Sequence, residues 1–321
     1  MQASAELQLG ARVDGVTQED VRDALWRDRT LVKAWTLRGT LHLHPADELG
    51  LWLAARPKAT ELEEWRDPAG AVHPPVTEDE VDRIRGAVWD ALGDRCLLRE
   101  ELVDEVVRRV GRAHEGRLRS GFAFFTDELC QGPPQGSKIT LVRPDRWIEN
   151  WQPVDEQAAR AEISRRFLHA FGPARPADFA EWTRETWFDP PELEEVDVEG
   201  HRAFVVAGDS AFPELSASVR LLSEYDVYVM GFREREQLVP PVVREQVATH
   251  GRGRYEGPAG VRFLLVDGVA AGLWERKKRS KRIEIRVAPA RKLTRARRAE
   301  LDAEVERVGA FLALDPALTV E

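Results

Sequence analysis

Cysteine is scarce in this sequence. Only Cys96 and Cys130 occur in 321 residues, and they are too few and too far apart for a disulfide framework or a cysteine zinc site. Long apolar runs are also missing, since no segment approaches the roughly 20 apolar residues of a membrane helix. The first residues, MQASAELQLG, lack the basic and apolar regions of a signal peptide. We therefore expect a globular protein of a reducing compartment that makes no membrane contact.

Several catalytic signatures are absent as well. The sequence contains no GxxxxGKS/T, GxGxxG, GxSxG or HExxH pattern, so nucleotide hydrolysis, dinucleotide redox chemistry, hydrolase elbows and zinc proteases have no support. His42 and His44 are two apart and share a face of a predicted strand, with Asp47 close behind. No third ligand follows at a diagnostic spacing, so we expect neither a metal nor another cofactor.

Acidic side chains outnumber basic ones, 56 against 47, for a net charge of −9. This charge argues against a protein that wraps nucleic acid over its whole surface, because the summed field repels phosphate. Contact with a polyanion must then come from local basic patches. The densest patch is ERKKRSKR at 275–282, which a solvated turn would also explain. This patch falls at the tip of a predicted hairpin, where each of its cations is a candidate phosphate ligand. They are Arg276, Lys277, Lys278, Arg279, Lys281 and Arg282.

The first predicted segment, 1–70, has the order helix, hairpin, helix. A capped amphipathic helix is predicted for 17–28, and two β-type arms then flank a turn at Arg38 and Gly39. Arg38, Thr40 and His42 are candidate contacts on this hairpin, because a guanidinium binds phosphate and an imidazole positions a phosphate or a water near neutral pH. The alternative is that these side chains fix the hairpin through local hydrogen bonds.

The second predicted segment, 71–152, shows three helices followed by a strand pair. Helices are predicted for 77–93, with a Thr77 and Glu80 capping box, for 98–111 and for 116–130, and strands for 132–147. This order is typical of a winged helix, whose last helix enters the major groove while the wing contacts the backbone. The cations at those two places are candidate DNA contacts, although solvated faces would also carry them: Arg117 and Arg119 on the helix, and Lys138, Arg143 and Arg146 on the strands.

The third predicted segment, 153–215, has two helices and a hairpin that turns at Glu199 and Gly200. Only TWFDPP separates the second helix from the hairpin, so no recognition helix fits and a degenerate copy is expected. Residues 216–321 combine strands with a closing amphipathic helix at 293–312, and 240–260 are expected to be irregular. The predicted fold class is α+β: tandem winged-helix units with a C-terminal β-rich domain closed by a helix.

Six ordered blocks carry a resemblance to a known family. They are WTLRGTLHLHPADEL, RSGFAFF, GPPQGSKITLVRPDRWI, AFGPARPADFAEW, LLSEYDVYVMGFRERE and VDGVAAGLWERK. In order and spacing they resemble the bacterial winged-helix DNA-binding family that includes the alkylpurine and crosslink-unhooking DNA glycosylases. The resemblance covers nearly the whole chain and implies tandem winged helices and a β-rich C-terminal domain that curve around duplex DNA.

In the glycosylase members, the catalytic residues are a Gln, any residue, and then Gln or Asp. That motif comes directly before the segment that corresponds here to MQASAEL. Gln2 lies past the motif, so the catalytic role is not transferred to it. Two alternatives stay open: the protein starts upstream of Met1 and carries the motif there, or this chain lacks the first helix and the chemistry with it.

Three functions remain open at this point. The first is a glycosylase-like repair protein that acts on alkylated or crosslinked duplex DNA. The second is a DNA-binding protein without chemistry or a transcriptional regulator, although no long dimerisation helix is visible. The third is a protein-interaction scaffold. We expect a monomer in the cytoplasm, associated with the nucleoid.

Overall fold

The computed structural model describes residues 2–56, 60–121, 125, 128–209, 211, 217–232, 235–250 and 260–321. The helices in this part of the chain are α1 (Gln2–Gly10), α2 (Gln18–Trp26), α3 (Leu49–Ala54), α4 (Glu78–Leu92), α5 (Arg99–Val110), α6 (Glu115–Gly121), α7 (Pro144–Trp147), α8 (Glu156–Phe171), α9 (Pro176–Thr183), α10 (Val227–Met230), α11 (Pro241–His250) and α12 (Arg295–Leu312). Within the same residues, no helix is both long and apolar enough to cross a membrane.

The strands, again in chain order, are β1 (Leu31–Trp35), β2 (Leu41–Pro45), β3 (Trp65–Arg66), β4 (Val72–His73), β5 (Leu97–Leu98), β6 (Cys130–Gln135), β7 (Lys138–Val142), β8 (Leu193–Val198), β9 (His201–Val206), β10 (Val219–Leu221), β11 (Phe263–Val266), β12 (Val269–Lys278), β13 (Arg282–Pro289) and β14 (Asp315–Val320).

The chain divides into two compact units. Unit A consists of Asp23–Arg166 and Trp187–Pro191, and unit B of Met1–Arg22, Phe167–Thr186 and Glu192–Glu321. The predicted segments group the residues differently. Residues 1–22 belong to unit B, where Gln8 of α1 bonds Tyr225 and Arg12, just beyond α1, binds Asp226 at the start of α10.

Unit A is built on a five-stranded sheet in the order β2-β1-β6-β7-β5. Strand β1 meets β6 antiparallel, with Ala34 opposite Cys130 and both fully buried. The two predicted segments 1–70 and 71–152 therefore share one sheet. Helices α4 and α5 pack together over an apolar cluster in which Val81, Ile84 and Leu102 are completely buried, as the helical spacing of these residues requires.

Unit B is built on a second five-stranded sheet, in the order β10-β11-β12-β13-β14. Helix α12 covers it with Leu301, Val305 and Val308. The buried indole of Trp274 donates from Nε1 to the carbonyl of Leu222 at 2.8 Å. Its hydrogen bond satisfies the one polar atom of a large apolar side chain.

Most predicted elements agree with the structure. Helix α4 runs from its Thr77 cap to a left-handed Gly93, with φ +52°. The β1–β2 hairpin turns at Arg38 and Gly39, whose φ values are +58° and +65°. The β8–β9 hairpin turns where glutamate and glycine were expected. Local turn and capping chemistry was sufficient to place these elements.

Five elements differ from the prediction. The helix expected for 116–130 ends at Gly121, and Cys130 already belongs to a strand; residues 122–124, 126 and 127 lie outside the described residues. The second wing strand stops at Val142, since Pro144 opens α7, which places Arg146 on a helix.

The other three differences lie in unit B. The stretch expected to be irregular contains α11, although 251–259 lie outside the described residues. Strand β14 and helix α1 were not predicted. Strand β14 pairs parallel with β13 after the α12 crossover, and its six residues with one proline gave no local strand pattern.

The Thr77 cap offers a test of the local fold. Thr77 and Glu80 form the reciprocal capping box of α4, with Thr77 N donating to Glu80 at 3.0 Å. We expect Thr77→Ala to lower the free energy of unfolding by about 1 kcal/mol, measured by urea titration, and Thr77→Ser to retain it. An unchanged midpoint in the alanine variant would show that the cap is not needed.

Candidate nucleic-acid interface

The turn of the β1–β2 hairpin is a compact, polar structure. Its left-handed backbone at Arg38 and Gly39 lets Thr40 N donate to Leu37 O at 3.1 Å, while the Thr40 hydroxyl donates to the same carbonyl at 3.0 Å. Gly39 and Thr40 are exposed and Arg38 is half-buried. The turn therefore presents a fixed backbone with one guanidinium beside it.

His42 is held against this turn. Its Nε2 lies 2.8 Å from Thr40 Oγ1 and 3.2 Å from Leu37 O, so the neutral ring carries its proton on Nε2 and its lone pair on Nδ1. Burial and, to a smaller degree, the charge of Arg38 lower the pKa of His42 to about 4. The ring is uncharged near neutral pH. It can position a water or accept a hydrogen bond, as expected. It cannot bind phosphate as a cation, and this corrects the expectation that His42 positions a phosphate.

His44 continues the same row into the interior. It is 6% exposed, its Nε2 lies 2.9 Å from Thr36 Oγ1, and its ring packs 4.9 Å from that of Trp52. Burial lowers the pKa of His44 to about 3. Its contacts identify His44 as a neutral core side chain beneath the hairpin.

Arg56 was missed by the sequence analysis. It donates from Nη1 to the carbonyl of Trp35 at 3.2 Å, and its Nη2 lies 3.9 Å from the place a Cβ on Gly39 would take. Two guanidinium groups, those of Arg38 and Arg56, therefore flank one turn. Arg56 follows a predicted helix as an ordinary terminal residue, so no local signal marked it.

Arg117 is a correction. Only 3% of it is exposed, and its Nη1 donates to Glu63 O at 2.7 Å and to Pro74 O at 2.9 Å. Burial lowers its pKa. The side chain ties α6 to the β3–β4 region and does not reach a surface phosphate.

Arg119 is exposed but engaged. Its guanidinium contacts Glu115 at 2.9 Å and Asp104 at 2.8 Å, so a phosphate would have to displace two carboxylates. The exposed pairs cost little to break. Arg119 remains a candidate DNA contact, although Glu115 and Asp104 reduce the positive charge around it.

The cations of the β6–β7 hairpin and the following turn are also paired. Lys138 lies 3.3 Å from Glu100. Arg143 is bound by Asp145 at 2.7 Å and lies 4.3 Å above the ring of Trp89. These contacts hold Arg143 against the protein, so Lys138 is the more accessible of the two predicted residues.

The β12–β13 hairpin carries the strongest concentration of exposed cations. Arg279 N donates to Arg282 O at 2.8 Å and closes the turn. Five of the six predicted cations are exposed, whereas Arg276 is half-buried. Arg279 is paired with Glu284 at 3.0 Å, and Lys277 lies opposite Glu284 in the register. Within the described residues, Arg279 alone of the six forms an ion pair, so four of the exposed cations form none: Lys277, Lys278, Lys281 and Arg282.

A charged cluster lies at the base of that hairpin. Arg262 binds Glu224 through two hydrogen bonds of 2.6 and 3.1 Å. Burial, and then the charge of Arg262, lower the pKa of Arg276, which the carboxylates of Glu224 and Glu6 counteract. The base of the hairpin is thus held by charges from Glu6 on α1 and from Glu224, three residues after β10, a cluster that no single stretch of sequence indicated.

Helix α1 is tied to the connector between β10 and α10, residues 223–226. Gln8 donates to the carbonyl of Tyr225 at 3.0 Å. Arg12, just beyond the helix, binds the buried carboxylate of Asp226 with both of its terminal nitrogens, at 3.1 and 2.5 Å. One turn before Gln8, Ser4 accepts a hydrogen bond from Ser223 at 3.2 Å. Residues at a spacing of four, one helical turn, thus hold one short connector.

The chain is similar to proteins of one family throughout its length. The sequence profile described as DNA glycosylase AlkZ-like matches residues 2–311. An interstrand DNA cross-link repair glycosylase from Streptomyces sahachiroi is 30% identical over 295 residues, which cover 84% of this chain and 77% of that protein.

A solved structure is similar as well. The DNA glycosylase AlkZ of Streptomyces sahachiroi matches with a TM-score of 0.77 and 26% identity, over 99% of this chain and 89% of that one. The mixed α and β architecture described above is therefore shared with a glycosylase structure. Because the profile spans almost the entire sequence, this chain belongs to the AlkZ-like DNA glycosylase family.

Proposed function

We propose that this protein binds alkylated or crosslinked duplex DNA and takes part in removing the modified base. The observation that carries the proposal is the exposed, largely unpaired group of cations at the β12–β13 tip, on a chain whose net charge is −9. Such a local patch attracts phosphate where the rest of the molecule does not. The 30% identical relative is an interstrand DNA cross-link repair glycosylase, which supports it.

We also propose that the groove-binding elements are winged helices. The order α4, β5, α5, α6, β6 and β7, with β5 paired to β7, supports a winged helix in 71–152 whose wing is β6–β7. A second set, α8, α9 and β8–β9 with the bridge from Ala174 to Phe204, supports a copy in 153–215 that lacks the third helix. Under this proposal 1–70 contributes the β1–β2 hairpin and 216–321 the β-rich domain.

The chemistry required is modest. A cationic alkylated purine is already a good leaving group, so a polar side chain that orients a water suffices once the base is displaced from the stack. Under this proposal, a Gln-x-Gln or Gln-x-Asp like that of the glycosylases which the sequence resembles supplies that side chain. The β12–β13 tip would then bind the DNA backbone. Gln8 and Arg12 would hold α1 in place through their bonds to Tyr225 and Asp226.

Release of a free base tests the proposal. The chain preceded by a Gln-x-Gln segment is expected to release 7-methylguanine from methylated duplex DNA, detected by chromatography, and the same protein with both glutamines changed to alanine is expected to bind without release. If neither the 321-residue chain nor the extended one releases the base while both still bind DNA, the non-catalytic DNA-binding function takes its place.

We further propose that the protein acts as a monomer in the cytoplasm, in contact with the nucleoid. The absence of a long heptad helix from the sequence supports the monomer. Light scattering of the protein with and without a duplex of about three turns measures the stoichiometry, and a two-to-one complex on such a duplex would overturn it.

A further inference from the structure

A cavity of about 360 Å³ lies at the end of β13 that is opposite the β12–β13 tip. We call it the β13-end pocket. Besides Glu321, three apolar and three basic residues line it: Pro289, Leu293, Val320, Arg291, Lys292 and Arg298. Pro289 ends β13, and β14 runs parallel to β13, so Val320 reaches the same end of the sheet. The pocket therefore joins the last residues of two strands to the start of α12.

Two cations of this pocket are available to a ligand. Arg291 and Lys292 are exposed, and neither forms an ion pair within the described residues. By contrast, Arg298 is bound by Asp302 at 3.1 Å, so we do not count it among the ligand-binding groups. The pocket thus holds two positive charges that no side chain of the described part of the chain pairs with.

The chain is unusually basic where it enters α12. Residues 291–298, RKLTRARR, contain five cations and no acidic side chain. The first turn of α12 likewise has no acidic residue. Cations at the start of a helix oppose its dipole, whereas acidic side chains there are favourable. The excess of cations is therefore unfavourable in the free protein, and a bound anion would compensate it.

We propose that the β13-end pocket binds the phosphate backbone of duplex DNA as a second contact, in addition to the β12–β13 tip. The proposal rests on the function proposed above and extends its phosphate contacts to a site that the sequence analysis did not mark. The guanidinium of Arg291 and the ammonium of Lys292 donate charge-assisted hydrogen bonds to phosphate oxygens. The apolar residues beside them, Leu293 and Val320, suit the deoxyribose that joins two phosphates.

The spacing of the two sites fits a duplex. Strand β13 has eight residues, which at about 3.3 Å per residue span about 25 Å. Phosphates follow each DNA strand at about 3.4 Å, so the tip and the pocket contact positions about seven nucleotides apart. The one carboxylate of β13, that of Glu284, is paired with Arg279 at 3.0 Å, and Glu321 in the pocket is paired with Arg286 at 3.3 Å. Both sites belong to unit B, so this spacing is a property of one compact unit.

The double variant Arg291→Ala, Lys292→Ala tests the second contact. Both side chains are exposed, so the midpoint of urea unfolding is expected to stay the same. On a duplex of about 16 base pairs, the affinity measured by fluorescence anisotropy is expected to fall about tenfold at low salt, and the slope of log affinity against log salt by about 1.8. On a hairpin with a stem of about six base pairs, too short to reach both sites, the variant is expected to bind as the wild type does.

Arg184→Ala, Arg202→Ala is the matched control. Both arginines are exposed in unit B and paired with carboxylates, so this variant loses the same charge and is expected to keep the wild-type affinity on both DNAs. If the wild type shows no salt-dependent binding to the longer duplex, the proposed function itself fails. If the wild type binds and the Arg291→Ala, Lys292→Ala variant matches it there, the second contact is overturned. An equal loss of affinity on both DNAs overturns the spacing.

Calorimetry with inorganic phosphate separates the two sources of such a ligand. The wild type is expected to bind free phosphate only weakly, because Arg291 and Lys292 are exposed to solvent and screened by salt. If instead it binds free phosphate tightly, and the double variant loses that binding yet binds the longer duplex as the wild type does, the pocket serves free phosphate and its assignment to DNA is overturned.

Discussion

Replacement of Lys278, Lys281 and Arg282 together by alanine is expected to weaken binding to duplex DNA about 100-fold at low salt. These three exposed side chains form no ion pair within the described residues, so their charges are available to phosphate. Each phosphate contact contributes about 0.9 to the slope of log affinity against log salt. Loss of three contacts is expected to reduce that slope by about 2.7, measured by anisotropy titrations between about 50 and 200 mM salt.

A variant with the same change in net charge provides the control. Arg184, Arg202 and the half-buried Arg298 are arginines of unit B that are each paired with a nearby carboxylate. Their replacement by alanine also removes three positive charges, yet it is expected to leave the slope almost unchanged. Equal loss of affinity in the two triple variants would mean that net charge, and not the β12–β13 tip, controls binding.

Acid is expected to destabilise the protein through the hairpin histidines. Folding lowers the pKa values of His42 and His44 from 6.5 to about 4 and about 3. Between these values and pH 6.5 the unfolded chain binds protons that the folded chain does not, so stability falls as the pH decreases. Each histidine contributes up to about 1.4 kcal/mol per pH unit. From pH 7 to pH 5 the two together are expected to remove about 4 kcal/mol, measured by urea unfolding.

The double variant His42→Gln, His44→Gln tests the origin of this loss. Its stability is expected to be nearly flat over the same pH range, above the range in which carboxylates titrate. The exposed His201 serves as the comparison, because His201→Gln is expected to keep the full pH dependence. A steep decline that persists in the double variant would locate the responsible protons elsewhere.

Local chemistry in the sequence was sufficient for the elements that depend on neighbours in the chain. The Thr77 cap, the turn glycines and the alternating strands predicted α4 and the hairpins, and ERKKRSKR marked the β12–β13 tip. Capping and turn preferences act over three or four residues, so they can be recognised without knowledge of the fold. The exposed cations of the tip were predicted for the same reason.

Contacts between distant residues could not be predicted in this way. Arg117 has the sequence context of a recognition helix. In the structure it is buried and donates hydrogen bonds to carbonyls 54 and 43 residues away. Glu224 and Arg262 are 38 residues apart and form the base of the cationic hairpin together. Strand β14 exists because β13 offers it a parallel edge. Burial and pairing of this kind depend on the tertiary structure, which overrides local preference.

The antiparallel meeting of β1 and β6 also has a consequence for synthesis of the chain. The β1–β2 hairpin emerges from the ribosome long before β6, the strand that pairs with β1. Until β6 is made, the edge of β1 has unpaired backbone groups that a strand of another chain can pair with. Nonlocal pairing of this type is slow to form. Newly made protein is therefore most vulnerable to aggregation during this interval, and a break in the intervening backbone would leave two fragments able to reassociate through that edge.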